Sequence, residues 1–391
     1  MDGKEDLDAR EELVDHLLLG SYSVLDPVIP AVLDVLRSRC APLYWHKHGT
    51  FAEHLIGVAN ILLLWKQPSR VVRCGLIHSA YANSYVNLSL FAADQERGEI
   101  KSLVGEEAEL LTYKFCAVNR QQLIFDICSK WDTIPQEGLD MVDLKKKEMM
   151  KKENKKRTEE SHLNEGYPCR DDGDDNDGDA GGEEMVHLTF TDITDMIILT
   201  MADFAEQFFG WQDSLFGGEF MQGVGNSSIL WPGPSQPGLW HHFLSQLGQL
   251  VKNSVASPPV YDVCTRTIGK EEERKARDLY WKVVQENFND TEVAKDAGDT
   301  ITSILKEVVE LNPFIGEPHL LLAQIYNRKE QYELGEEESV RGLSLLIKWG
   351  TSWDKRISYG GWVAMARIQR KMARERTYPK LPMEFINMGK L

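Results

Sequence analysis

Three residues have the chemistry and the setting to ligate a divalent metal ion. His54 stands in Glu53-His54-Leu55-Ile56-Gly57-Val58-Ala59, a few residues after His46-Lys47-His48, and His78 closes Gly75-Leu76-Ile77-His78-Ser79. Both lie in apolar patterns of helical period, where a helix turns an imidazole into a shared interior. Asp203, in Thr200-Met201-Ala202-Asp203-Phe204-Ala205-Glu206-Gln207, offers a carboxylate in the same kind of run. Two imidazoles and one carboxylate suit Mn, Fe or Zn and leave coordination positions open for water. The bland alternative is two hydrogen-bonded interior histidines and a carboxylate that caps or bonds within its own helix.

The elements that must position these residues are helices. Leu13, Leu17 and Leu18, then Ile29, Val32, Leu33 and Leu36, mark one or two helices over 10–38, with Pro27 and Pro30 between the patterns. Thr50 followed by Glu53 is a capping box, so a helix starts at Thr50 and carries His54 in its first turn. Pro68-Ser69 opens the next helix, which runs to His78, and two antiparallel helices of this kind bring the two imidazoles together. Gly105-Glu106-Glu107 begins another helix with carboxylates where the macrodipole favours them, and Gln121–Lys130 reads as one more. Phe190, Ile193, Ile197, Met201 and Phe204 recur at helical spacing around Asp203. From Lys270 onward the pattern is helical throughout, with a basic set of Arg367, Arg370, Lys371, Arg374 and Arg376 on the last helix and Trp349 pairing with Trp353 just before it.

The expected organisation is all-α: N-terminal helices over 1–44, a helical domain over 45–140, a charged and largely disordered insertion over 141–185, the rest of the domain over 186–255 with a long aromatic loop at 210–238, and a helical module over 270–391. An Asp-rich stretch in the insertion fails as a calcium loop, because Gly173 stands where the first Asp is needed. The formal charge of −17 argues against binding nucleic acid, which requires clustered cations. The apolar runs are too short to span a membrane. Met1-Asp2-Gly3-Lys4-Glu5-Asp6 has the features of neither a secretory nor a transit peptide, which points to the cytoplasm or nucleus and makes the sequon at Asn226 accidental. Six cysteines (Cys40, Cys74, Cys116, Cys128, Cys169, Cys264) without a CxxC pair fit reduced thiols in such a compartment.

Residues 45–210 resemble the HD superfamily of metal-dependent phosphohydrolases, most nearly the helical hydrolase domain of stringent-response enzymes that remove pyrophosphate from guanosine tetraphosphate. They are also similar to a smaller HD-like family known only as a domain of unknown function. The likeness rests on Glu53-His54 with Val58-Ala59, on Gly75-Leu76-Ile77-His78, on Gly105-Glu106-Glu107 and on Ala202-Asp203, in that order along the chain. It implies metal ligation by His54, His78 and Asp203 and hydrolysis of a phosphate ester or anhydride in a phosphorylated small molecule. The departures are Ser79, which stands where the superfamily has the Asp of its His-Asp pair, and Ala82-Asn83, which stands near where the stringent-response hydrolases carry an acidic pair that positions water. His48, Glu53 and Asn83 are then the nearby candidates for a catalytic base.

Within Glu317–Ser339, Leu322, Ala323, Tyr326 and Tyr332 fall where a tetratricopeptide repeat places its packing residues, and Asn312-Pro313 closes the helix before it. A repeat of this type needs neighbours to bury its apolar face. The resemblance implies a packing module, or else a groove for a protein partner. The rival to a degenerate hydrolase is accordingly a non-catalytic scaffold built on this C-terminal module.

Overall fold

The computed structural model describes residues 2–46, 49–81, 89–93, 95–119, 123–124, 137–142, 185–208, 236–252, 258, 260, 266–286 and 296–379. Among these residues the fold is all-α, with two small antiparallel strand pairs: β1 (Trp45–His46) with β2 (Gly49–Thr50), and β3 (Leu139–Val142) with β4 (Met185–Leu188). No helix of the described residues is long and apolar enough to cross a membrane. Contacts divide the chain into two units, one of Met1–Leu76 with Ile197–Leu391 and one of Ile77–Met196.

The first unit is built from α1 (Asp2–Leu18), α2 (Tyr22–Leu25), α3 (Ile29–Ser38), α4 (Phe51–Leu64), most of α5 (Ser69–Ile77), the second part of α8 (Phe190–Gln207), and then α9 (His241–Val251), α10 (Lys270–Glu286), α11 (Asp296–Leu311), α12 (Glu317–Arg328), α13 (Tyr332–Trp349) and α14 (Tyr359–Glu375). Each helix from α10 to α14 packs on the next, while α1 and α4 lie on α13. One apolar cluster joins Val14 and Leu17 of α1, Leu64 of α4, Leu320 of α12, Leu343, Leu346 and Ile347 of α13, and Trp362, Val363 and Ala366 of α14. Helices from the two ends of the sequence therefore share a core, and α4, which carries His54, is part of it. Three arginines of α14 are paired in the same assembly: Arg370 meets Glu11 at 2.6 Å, Arg367 meets Asp15 at 2.7 Å, and Arg374 meets Glu336 at 2.7 Å.

Local sequence explains the helices nearest the candidate ligands. Thr50 caps α4 with both halves of the box made, Glu53 N–H to Thr50 Oγ1 at 3.2 Å and Thr50 N–H to Glu53 Oε2 at 2.7 Å. Pro30 sits in the first turn of α3 rather than between helices, because proline lacks only an N–H that this turn leaves unpaired. The turn at 65–68 sends α5 back along α4. Gly75 permits the close approach, since a Cβ there would lie 2.6 Å from Leu62 Cδ1 and 3.5 Å from the Ala59 backbone. Trp349 and Trp353 both face the His241 ring, with centroids at 5.0 and 6.3 Å.

The second unit contains α6 (Arg97–Val104), α7 (Glu106–Ala117), the β3–β4 pair, which packs on α7 through β4, and the start of α8. Glu109 of α7 is buried; it takes Arg97 at 2.6 and 3.0 Å and the Tyr81 hydroxyl at 3.0 Å. That charge-assisted fork ties the segment after His78 to α7. Most of the expected insertion (143–184), of the aromatic loop (209–235) and of the Gln121–Lys130 helix lies outside the described residues, as do Cys128, Cys169, Cys264 and Asn226.

Candidate metal centre

One ligand-type atom from each of His54, His78 and Asp203 lies within 4.8 Å of the others, and all three residues are buried. His54 points inward from the first turns of α4, His78 directly follows the last residue of α5, and Asp203 sits in the C-terminal part of α8. His78 is backed by Phe115 in an edge contact at 5.9 Å, and its carbonyl accepts from the Cys116 thiol at 3.1 Å. Ser79 beside it is buried as well and carries no carboxylate.

The closest geometry is around His54. Its Nδ1 is 2.5 Å from Glu206 Oε2, while its Nε2 faces Asp203 Oδ1 at 3.3 Å. A carboxylate only accepts, so Nδ1 carries the proton, and Nε2 is the nitrogen turned toward Asp203. A carboxylate on His Nδ1–H, with Nε2 turned to the metal, is the arrangement that fixes the tautomer of metal-binding histidines. Burial on its own pulls the His54 imidazolium down, but Glu206 and Asp203 outweigh it and hold the pKa at about 9. Without a metal, a proton on Nε2 therefore bridges His54 to Asp203.

The residues fit a divalent ion. The donor chemistry, two imidazoles and a carboxylate, is that of Zn, Fe and Mn sites that keep open positions.

Further residues complete the surroundings. Gln207 donates from Nε2 to Asp203 Oδ1 at 2.6 Å, and its Oε1 lies 2.9 Å from His46 Nε2. The His46 ring lies over His54 with centroids 4.5 Å apart. Gly57 makes room for Glu206, because a Cβ there would come within 2.7 Å of Glu206 Cγ. Burial lowers the Lys355 ammonium to about 8 against the pull of Glu206, Glu317 and Asp354, which sets a cation within electrostatic reach of Glu206.

Of the candidate bases, Glu53 is exposed with its carboxylate on the Thr50 N–H, where it caps α4. His48 and Asn83 lie outside the described residues. Sequence reasoning did not assign roles to Glu206, Gln207, His46 or Gly57. That Glu206 and Gln207 share the helix face of Asp203 was legible from their spacing of three and four residues, but not that His54 and His46 meet them there. Gly57 was also a signal, since glycine inside a helix costs about 0.5–1 kcal/mol relative to alanine and implies a reason in packing.

A family model described as a domain of unknown function (DUF6817) matches residues 35–120, a stretch that includes His46, His54, Gly57 and His78 and ends before Asp203. No curated protein matches the chain. No solved structure matches it either.

Proposed function

We propose that the protein binds a divalent metal ion through His54, His78 and Asp203 and is a degenerate phosphohydrolase acting on a phosphate ester or anhydride in a phosphorylated small molecule. The observation that carries the metal reading is the buried cluster of these three residues, with His54 set in the ligand tautomer by Glu206. The hydrolase reading draws on the resemblance of residues 45–210 to HD phosphohydrolases. A bound divalent ion supplies Lewis acidity toward a phosphoryl oxygen and activation of water at neutral pH. The chain's own residues do the rest: Glu206 keeps the proton on Nδ1 of His54, Gln207 steadies Asp203, and Ser79 offers a neutral hydroxyl where the resemblance would place a second carboxylate. Cys74 and Cys116 are buried free thiols, which supports a cytoplasmic or nuclear location.

The test is phosphate release by zinc-, iron- or manganese-loaded protein from a panel of phosphomonoesters, phosphodiesters and nucleotide anhydrides. Turnover that disappears in His54→Ala and Asp203→Ala is the expected result. Absence of turnover across all classes by metal-loaded protein overturns the hydrolase reading. It would leave the second reading, a scaffold that engages a protein partner through the tetratricopeptide-like module over 270–391 (α10 to α14), which is favoured by Ser79 in place of the metal-binding Asp.

A further inference from the structure

We infer that His46 and Gln207 form a positioning pair that holds the Asp203 carboxylate in place for a divalent metal ion. The inference deepens the metal reading and rests on it.

Hydrogen-bond polarity fixes the pair. The Asp203 carboxylate can only accept, so the amide group of Gln207 turns its Nε2 toward Oδ1, at 2.6 Å. Its Oε1 is thereby presented to His46, whose Nε2 at 2.9 Å must be the donor. The chain of donors thus runs from His46 Nε2–H to Gln207 and from Gln207 Nε2–H to Asp203 Oδ1, the same oxygen that faces His54 Nε2 at 3.3 Å. Two elements of unlike kind meet in it. Asp203 and Gln207 are one turn apart on α8, whereas His46 ends β1, pairs with Gly49, and so belongs to the short strand turn that delivers the chain into α4.

A carboxylate on a free helix face samples several rotamers. One held by an amide, itself held by an imidazole, is pre-oriented, and partners of this kind tune metal affinity. Both His46 and Gln207 are half-buried, so either can be replaced without opening the core. The competing role for His46 is simple packing of its ring on His54, and shape and donor can be separated by substitution. His46→Phe keeps the ring and loses the donor. His46→Gln loses the ring and keeps an N–H at the position of the imidazole Nε2–H.

The experiment is a zinc-affinity titration of the full chain, stripped by chelation, in competition with a chromophoric chelator. Far-UV circular dichroism is recorded for each variant, and cobalt d–d absorption reports the coordination geometry. His46→Phe and Gln207→Leu should bind zinc about 10- to 100-fold more weakly than wild type with unchanged dichroism and altered cobalt bands, and His46→Gln should stay within about threefold. The opposite order, with His46→Phe like wild type and His46→Gln weak, overturns the proposal in favour of ring packing. His54→Ala separates the positioning pair from the metal site itself. If it loses zinc while both His46→Phe and Gln207→Leu bind as wild type, the positioning pair is wrong and the metal site stands. If wild-type protein binds no zinc, iron or manganese, both fall.

Discussion

His54 donates from Nδ1 to Glu206 at 2.5 Å, and this one bond decides which nitrogen faces Asp203. The same carboxylate raises the imidazole pKa against burial, to about 9. Glu206→Gln keeps the size and an acceptor oxygen but removes the charge, so the His54 midpoint should fall by about one unit or more. Imidazole C–H resonances followed by NMR in metal-free protein would show it, and an unchanged midpoint would mean that Glu206 does not govern His54. The direction also bears on metal binding: below the His54 midpoint an incoming ion must displace a proton, so affinity should rise with pH toward about 9 and then level off. At this scale the sequence was informative about residue type and poor about partners. His54, His78 and Asp203 stood out because polar groups interrupt apolar helical patterns. Glu206 and Gln207 read as ordinary polar residues at the end of a helix, since only the fold shows that His54 and His46 come to meet them.

At the scale of elements, α4 and α8 matter most, and their meeting depends on Gly57. Replacing Gly57 by alanine should favour the helix by about 0.5–1 kcal/mol. The new Cβ would also lie 2.7 Å from Glu206 Cγ, so that side chain must move. Gly57→Ala should therefore leave the thermal midpoint within a few degrees of wild type, yet weaken zinc binding about tenfold by disturbing the His54 partner. Wild-type affinity in a folded Gly57→Ala protein would show that Glu206 does not need its present position. The start of α4 was legible because Thr50 and Glu53 are a local signal three residues apart. The β1–β2 pair that places His46 was not, because two-residue strands have too few positions to show an alternating pattern.

Over the whole chain, the helices of the first unit depend on buried carboxylates that tie distant segments together. Glu273 of α10 is buried and accepts from the N–H groups of Trp240, His241 and His242 at 2.8, 2.7 and 3.0 Å, which caps the start of α9. Burial alone would raise its pKa, but the His241 and His242 side chains prevail and hold it at about 2. The folded value lies below the unfolded carboxylate value of about 4.3, so the unfolded state binds more protons between the two. This stabilisation is complete above about pH 4.3 and is lost as pH falls toward about 2. Glu273→Gln should cost about 3 kcal/mol at neutral pH and should flatten the acid limb of the melting temperature. A melting curve with the wild-type acid dependence would remove Glu273 from that role. That the chain is helical from Lys270 on was legible from Asn312-Pro313 and from apolar spacing, and α10 to α14 lie there among the described residues. That Val14 and Ala366 share a core was not, because nothing local in either segment records a partner so far along the chain. The basic set at the end of α14 stood out in the sequence without its partners, and in the fold Glu11, Asp15, Glu336 and Glu333 pair with Arg367, Arg370, Arg374 and Arg376.

Everything proposed for this protein depends on whether His54, His78 and Asp203 hold a metal ion. The most direct test is elemental analysis of untagged protein, as purified and after reconstitution with Mn, Fe and Zn, beside His54→Ala, His78→Ala and Asp203→Ala variants shown to be folded by circular dichroism. Near-stoichiometric metal in the wild type and its loss in all three variants is the predicted result. Wild-type protein that takes up none of the three metals, or folded variants that keep it, would contradict the site.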